Sequence, residues 1–380
     1  MSLTARQLNR ATLARQLLLR RERLSVVDAV RRIVALQAQE PASPYLALWN
    51  RLVDFNPADL DAAFADGTVV KASLIRLTLH AVHAVHYPAF HDAMLSSLRA
   101  SRLNDRRFTT SGLSTADVDA LLPHLLEFAA RPRTKAEIED FIEARLGDRN
   151  PRAWWGLKMF APLHHSPTGG PWSFRTSSAF VAAPTTKSRE SPDESVQRLV
   201  LRYLGAFGPS SVADFAQFTM LRRPVARQAL QALADKVVEL EGPDGTTLFD
   251  VPGGLLPAED TAAPPRLLPM WDSVLLAYAD RSRVIPPDYR RLVIRQNGDV
   301  LPTLLVDGYV AGVWRPVEGG IEATAFHRLS VDAWTGLEAE SRALVTFLAD
   351  RETRVYRRYA HWWATLPSTE IRVLPGNTPT

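Results

Sequence analysis

The residue pattern predicts an α+β fold: tandem units of three helices and a hairpin, followed by a strand-rich C-terminal part. Three observations carry this. Between Glu194 and Val251, three helical stretches precede two short extended ones around a Gly-Pro-Asp-Gly turn. The same order of elements recurs over 111–190 with no repeat of sequence. From Pro264 the pattern changes to alternation around Asn-Gly and Asp-Gly pairs. At 380 residues the chain is too long for one ordinary core. We place units at 1–110, 111–190, 191–255 and 256–380.

In chain order, Leu8–Leu19 and Val26–Leu36 read as helices, the second from the spacing of Val27, Val30, Ile33, Val34 and Leu36. Pro41 stops that pattern, since it cannot donate the next backbone bond. Asn56-Pro57 opens a helix to Phe64, and Lys71–Val82 alternates as a strand. Its residues Ile75, Leu77 and Leu79 face one way and Arg76, Thr78 and His80 the other. In the second unit, Ser114–Phe128, a helix capped at Thr134, and Arg152–Met159 precede a wing over His164–Val181, with Thr168-Gly169-Gly170-Pro171 at its tip.

The third unit is the clearest. Val196, Leu199, Val200, Tyr203 and Leu204 make one helix, which Gly208-Pro209 breaks. Ser210 or Ser211 caps the next, and Pro224 suits the first turn of the third. Val237–Leu240 and Thr246–Phe249 form the hairpin. This is the winged-helix plan, which serves DNA binding, spacing or protein docking. In the last unit Arg290–Val300 and Thr303–Trp314 read as a β-meander and Leu337–Leu348 as a helix. Arg351–Trp363 reads as a basic, aromatic final strand, with a loosely held tail after Pro367.

Composition bounds the chemistry. No cysteine means no disulfide, thiolate metal site or cysteine nucleophile. No apolar run spans a bilayer and the N-terminus lacks a signal-peptide core, so a cytoplasmic, nucleoid-associated protein without membrane contact is expected. Net charge is only +4, yet 40 of the 45 cations are arginine, the side chain that forks onto phosphates and stacks on bases. A GC-rich genome also raises arginine.

Several constellations lead nowhere. His80, His83 and His86 have no acidic or cysteine partner nearby, and His164-His165 is no better, so no metal and no cofactor is expected. There is no phosphate-binding glycine loop with lysine and no nucleophile elbow. Asp272 in Trp271-Asp272-Ser273 is a general base or, more simply, a structural cap. The pair Gln37 and Gln39 lies at a helix exit. In an extended chain both project to one side, where two neutral amides can hold a water or touch a nucleic acid.

These features combine. Gln37-Ala38-Gln39, Arg76-Leu77-Thr78-Leu79-His80, Trp271-Asp272-Ser273 through Asp280-Arg281-Ser282-Arg283, Asn297-Gly298 and Leu305–Trp314 together resemble the AlkZ/YcaQ family of bacterial winged-helix DNA glycosylases over nearly the whole chain. Gln39 places the chain with the Gln-x-Gln, AlkZ-like branch. The resemblance implies a C-shaped molecule with double-stranded DNA in a concave channel. It also implies removal of N7-alkylated purines, unhooking of interstrand crosslinks, and Gln37 and Gln39 as the catalytic pair. Self-resistance to a DNA-alkylating natural product such as azinomycin B fits that chemistry. Arg76, Thr78, His80, Arg281, Arg283 and Asn297 are the expected DNA contacts, and a hairpin at Asn297-Gly298 or Asp307-Gly308 the groove probe. A cationic leaving base needs little acid help, so a water held by amide oxygens suffices. With no lysine beside the motif, no Schiff-base lyase chemistry is expected. The rival is a winged-helix transcription regulator without chemistry. Such regulators usually dimerise, and with no heptad or dimer helix the sequence predicts a monomer.

Overall fold

The computed structural model describes residues 2–174, 178–184, 188–367 and 369–376. Its architecture is α+β. Helices α1 (Ala5–Arg15) and α2 (Val26–Ile33) start on Thr4 and Ser25, whose hydroxyls accept first-turn N–H groups. The helix expected to reach Leu36 stops at Ile33. Val34 turns the chain with φ of 74°, and strand β1 (Leu36–Gln37) follows. Val34, Ala35 and Leu36 are buried in the core, and apolar spacing alone does not separate a buried helix end from a buried strand. α3 (Ser43–Trp49) and α4 (Pro57–Ala65) carry Pro44 and Pro57 in their first turns.

β2 (Val69–Ser73) and β3 (Leu79–His83) replace the single strand expected over Lys71–Val82. The chain reverses at Leu74–Thr78, where Arg76 and Leu77 both take positive φ, 53° and 59°. Such turns normally announce themselves with Gly, Asn or Asp. This one has none, so the alternation runs through it unbroken. α5 (Tyr87–Leu103) has no counterpart among the expected helices, although Phe90, Met94 and Leu98 form its buried stripe.

α6 (Arg106–Thr109) closes the stretch up to residue 110, and the second unit, 111–190, holds α7 (Thr115–Phe128), β4 (Arg133–Thr134), α8 (Lys135–Leu146), α9 (Pro151–Phe160), β5 (Leu163–Ser166) and β6 (Ala179–Ala182). Part of its wing, 175–177, lies outside the described residues. The third holds α10 (Pro192–Phe207), α11 (Val212–Thr219), α12 (Arg223–Ala232), β7 (Val238–Glu241) and β8 (Thr247–Asp250). Helices α7, α8, α10 and α11 each open on a reciprocal cap: Ser114 with Asp117, Thr134 with Glu137, Ser191 with Glu194, Ser211 with Asp214.

The C-terminal part holds β9 (Arg266–Leu268), α13 (Arg290–Val293), β10 (Thr303–Val306), β11 (Tyr309–Val317), β12 (Gly320–Ala325), α14 (Val331–Ala349) and β13 (Glu370–Pro375). The expected strand over Arg290–Val300 is a helical turn plus one bridge, Ile294 to Val300. Arg351–Trp363 is not a strand either. It leads into the 3-10 turns of Arg357–Thr365, which bury Tyr359 and Trp363. The segment after Pro367 is held, because β13 pairs with β12 from Glu370 to Pro375. Residues 377–380 lie outside the described residues.

Two antiparallel sheets organise the molecule. One runs β1-β3-β2-β5-β6-β4 and joins the first two units through the Lys71–His165 pair. The other runs β13-β12-β11-β10-β9 under α14. The Asp307-Gly308 turn between β10 and β11 does not project as a groove probe. It docks on α1, where Asn9 Nδ2 donates to the Gly308 carbonyl at 2.8 Å and Arg6 pairs with Asp307 at 2.9 Å. Gly308 has φ of +83°, and a Cβ there would lie 2.5 Å from Asn9 Oδ1. Gly308→Ala is expected to destabilise the protein by more than about 1 kcal/mol. An unchanged urea midpoint would show that α1 can yield.

Candidate active site

The Gln37–Gln39 segment forms the edge of the six-stranded sheet. Leu36 and Gln37 pair with Ala81 and His80 of β3, and the Ala38 N–H donates to the Leu79 carbonyl. The chain then bends away. Gln37 is buried (5% exposed) while Gln39 is exposed. The two are coupled directly: Gln37 Oε1 accepts the backbone N–H of Gln39 at 2.8 Å. A backbone donor can be met only by the amide oxygen, so this bond fixes which way the Gln37 amide points. Gln37 thus pins the bend that presents Gln39, and the two amides do not project side by side as a fully extended chain requires.

Gln39 lines an open cleft of about 690 Å³ between the first sheet and the 352–358 segment. Neighbouring Glu40 also lines it. Burial raises the Glu40 carboxyl above its ordinary range, opposed by the Tyr359 hydroxyl, which donates to Oε1 at 2.9 Å, by Arg358 and by Lys71. The far wall is tied down by its own polar contacts. Trp172 Nε1 donates to Glu352 at 2.6 Å, and Arg351 pairs with Asp61 at 2.7 Å.

Lys71 corrects the expectation that no lysine stands near the glutamines. Register brings it in: Lys71 of β2 lies opposite Ala81, which lies opposite Leu36 of β1. Its side chain lines the same cleft as Gln39 and Glu40 and rests over the Phe174 ring at 4.4 Å. Desolvation pulls the amine down to about 8, against the charge of Glu40. Glu40 carried no signal in the sequence, whereas Arg354 and Arg357, which also line the cleft, belong to the arginine cluster of the basic 351–363 segment. Only the rarity of lysine hinted at Lys71.

Asp272 is structural. It is fully buried in a two-pronged pair with Arg51, both bonds 2.8 Å, and it caps the turn at Ser273–Leu275. Ser273 Oγ donates to the Ala35 carbonyl at 3.1 Å, so this motif braces β1 from behind.

The expected DNA contacts are dispersed. His80 is fully buried because β3 runs between β1 and β2, so it cannot itself reach DNA. Burial first, then the Arg76 charge, hold its imidazole down to about 3, hence neutral. Its Nδ1–H donates to the Thr78 carbonyl at 3.2 Å, leaving Nε2 to accept from Arg76 at 3.4 Å. Arg76 also covers the Phe218 ring, and the Thr78 hydroxyl donates to the Ile75 carbonyl. Arg283 is spent on the Pro209 carbonyl and the Tyr278 ring. Arg281 is buried against the Tyr278 carbonyl. Asn297 is exposed at its turn and bonded to Asp299. Structure does bring Arg76 and Arg281 together. Burial lowers both, with the Arg281 charge adding to the effect at Arg76 and the Arg290 charge at Arg281, and neither has an ion-pair partner among the described residues.

Comparison with known proteins places this geometry. A family model described as DNA glycosylase AlkZ-like matches residues 30–347. A curated protein, the interstrand DNA cross-link repair glycosylase of Streptomyces sahachiroi, is 27% identical over 344 residues, covering 84% of this chain and 90% of its own. The solved structure of the Streptomyces sahachiroi DNA glycosylase AlkZ matches with a TM-score of 0.79 at 24% identity, covering 93% of this chain and 98% of that one. The family match spans both glutamines and the Asp272 brace.

Proposed function

The chain belongs to the AlkZ-like DNA glycosylase family, and from that premise we propose that it hydrolyses the N-glycosidic bond of N7-alkylated purines in duplex DNA, unhooking interstrand crosslinks, with Gln37 and Gln39 as the catalytic pair. The observation that carries this reading is the Gln37-pinned bend that sets Gln39 at an open cleft. Alkylation at N7 makes the base a cationic leaving group, so the sugar takes on oxocarbenium character as the bond stretches. The Gln39 amide holds the attacking water. The Gln37 oxygen, with one lone pair on Gln39 N–H and a second one free, adds a dipole favouring positive charge on the sugar. An open cleft suits a crosslinked base that cannot swing into a tight pocket. Self-resistance to an alkylating metabolite such as azinomycin B is the biological role we propose.

DNA enters across a concave face on which half-buried Arg76 meets a backbone phosphate, since an anion beside it relieves the repulsion it feels from nearby Arg281. Arg354 and Arg357 line the cleft, exposed and outside any ion pair among the described residues, and take further phosphates. Replacing both by serine is expected to weaken binding evenly across sequences. It should also lower the slope of log affinity against log salt by about 2. An unchanged slope in a salt titration would remove them from the interface. The reaction itself is tested by incubating the protein with duplex DNA carrying N7-methylguanine. Free modified base is the expected product, and intact DNA binding with no release would refute the proposal.

A further inference from the structure

The chain meets its structural needs for buried cations with arginine. Arg10, Arg15, Arg51 and Arg266 are all buried, and each holds a carboxylate: Asp307, Asp250, Asp272 and Glu340. Against 40 arginines there are five lysines. Among the described residues, Lys135, Lys158 and Lys236 are exposed and Lys71 is the one buried lysine, at 4% exposure. Lys71 has no ion-pair or hydrogen-bond partner among the described residues, only the Phe174 face. A guanidinium could fill an ion-pair role there but could never lose its charge. An amine can, and desolvation by apolar neighbours favours the neutral form. The position of Lys71 is equally pointed, because the cleft it lines is the one holding Gln39 and Glu40.

We propose that Lys71 is an amine nucleophile that forms a Schiff base with the abasic sugar left after base excision and cleaves the strand by β-elimination. This rests on the glycosylase reading, because excision generates the aldehyde. The C1′ hemiacetal opens to that aldehyde, and the Lys71 amine adds to its carbonyl. Water leaves and a protonated imine joins Nζ to C1′. The Glu40 carboxylate takes the C2′ proton, and the electron pair of that bond gives an enamine. The enamine re-forms the imine as the C3′–O bond breaks, its pair departing with the phosphate and a C2′–C3′ double bond remaining. Water hydrolyses the imine and returns the amine, and Glu40 releases its proton to solvent. The sequence balances without an external oxidant or reductant. Burial keeps the lysine near 8, so a usable neutral fraction exists at physiological pH.

The test uses full-length protein on two duplexes, one with a preformed abasic site made by uracil excision and one with N7-methylguanine. Sodium borohydride should trap a covalent protein–DNA complex on the abasic duplex. Lys71→Arg, which keeps the charge but cannot form the imine, should lower trapping at least about tenfold. Absence of a trapped wild-type complex, or equal trapping by Lys71→Arg, would overturn the proposal. Base release from the N7-methylguanine duplex reports the glycosylase step by itself, so the two readings fail separately. Circular dichroism of Lys71→Arg and Lys71→Met establishes that loss of trapping comes from folded protein.

Discussion

Replacing Gln37 and Gln39 together by alanine is expected to lower the rate of alkylpurine release by at least about 10²–10³-fold, the range for removing one preorganised polar group from a transition state. DNA affinity should fall little, because phosphate contacts dominate it. The single variants separate the two roles. Gln39→Ala removes the exposed amide in the cleft. Gln37→Ala releases the Gln39 N–H and loosens the bend. Gln37→Glu keeps an oxygen to accept that N–H, so it should retain more activity than Gln37→Ala. Single-turnover release of free base at saturating enzyme checks all four. A double variant that excises at the wild-type rate would take the amides out of the mechanism.

The second large effect concerns stability. Asp272→Ala leaves Arg51 charged and buried without its partner, and breaking such a pair typically costs about 3–5 kcal/mol. The loss should appear in urea unfolding, with the damage centred on β1 because Ser273 holds the Ala35 carbonyl. The fraction that remains folded should still release base, since Asp272 is buried against Arg51 and does not line the cleft of Gln39 and Glu40. An Asp272→Ala protein as stable as the wild type but inactive would instead make Asp272 a chemical participant. Replacing Arg51 and Asp272 together by apolar residues of similar size is expected to be far milder than either single change, because no uncompensated charge is left behind.

Much of the fold was legible because its signals are local. The helix starts at Ser114 and Thr134 could be placed from one or two residues each, and the next cap narrowed to Ser210 or Ser211, of which the structure uses Ser211. So could the Asp307-Gly308 hairpin turn, where both residues take positive φ. The Leu74–Thr78 reversal was hidden because Arg76 and Leu77 are not turn residues; tertiary packing imposes their conformation. The Arg351–Trp363 segment was misread because its aromatic content suits a strand as well as the buried 3-10 turns it forms.

The site divides in the same way. By itself the sequence determined which chemistry is available: no thiol, two amides at a helix exit, and a cation supply almost wholly of arginine. It also carried the family signature, whose residues could be recognised without coordinates. Only the tertiary structure decided who stands beside whom. Strand register sets Gln37 against His80 and carries Lys71 into the cleft of Gln39 and Glu40. Long-range packing puts Asp272 on Arg51, behind β1 and away from the cleft. The physical reason is that residue identity fixes charge, pKa range and hydrogen-bonding capacity. Proximity between distant segments follows from sheet pairing and burial, which depend on the whole chain at once.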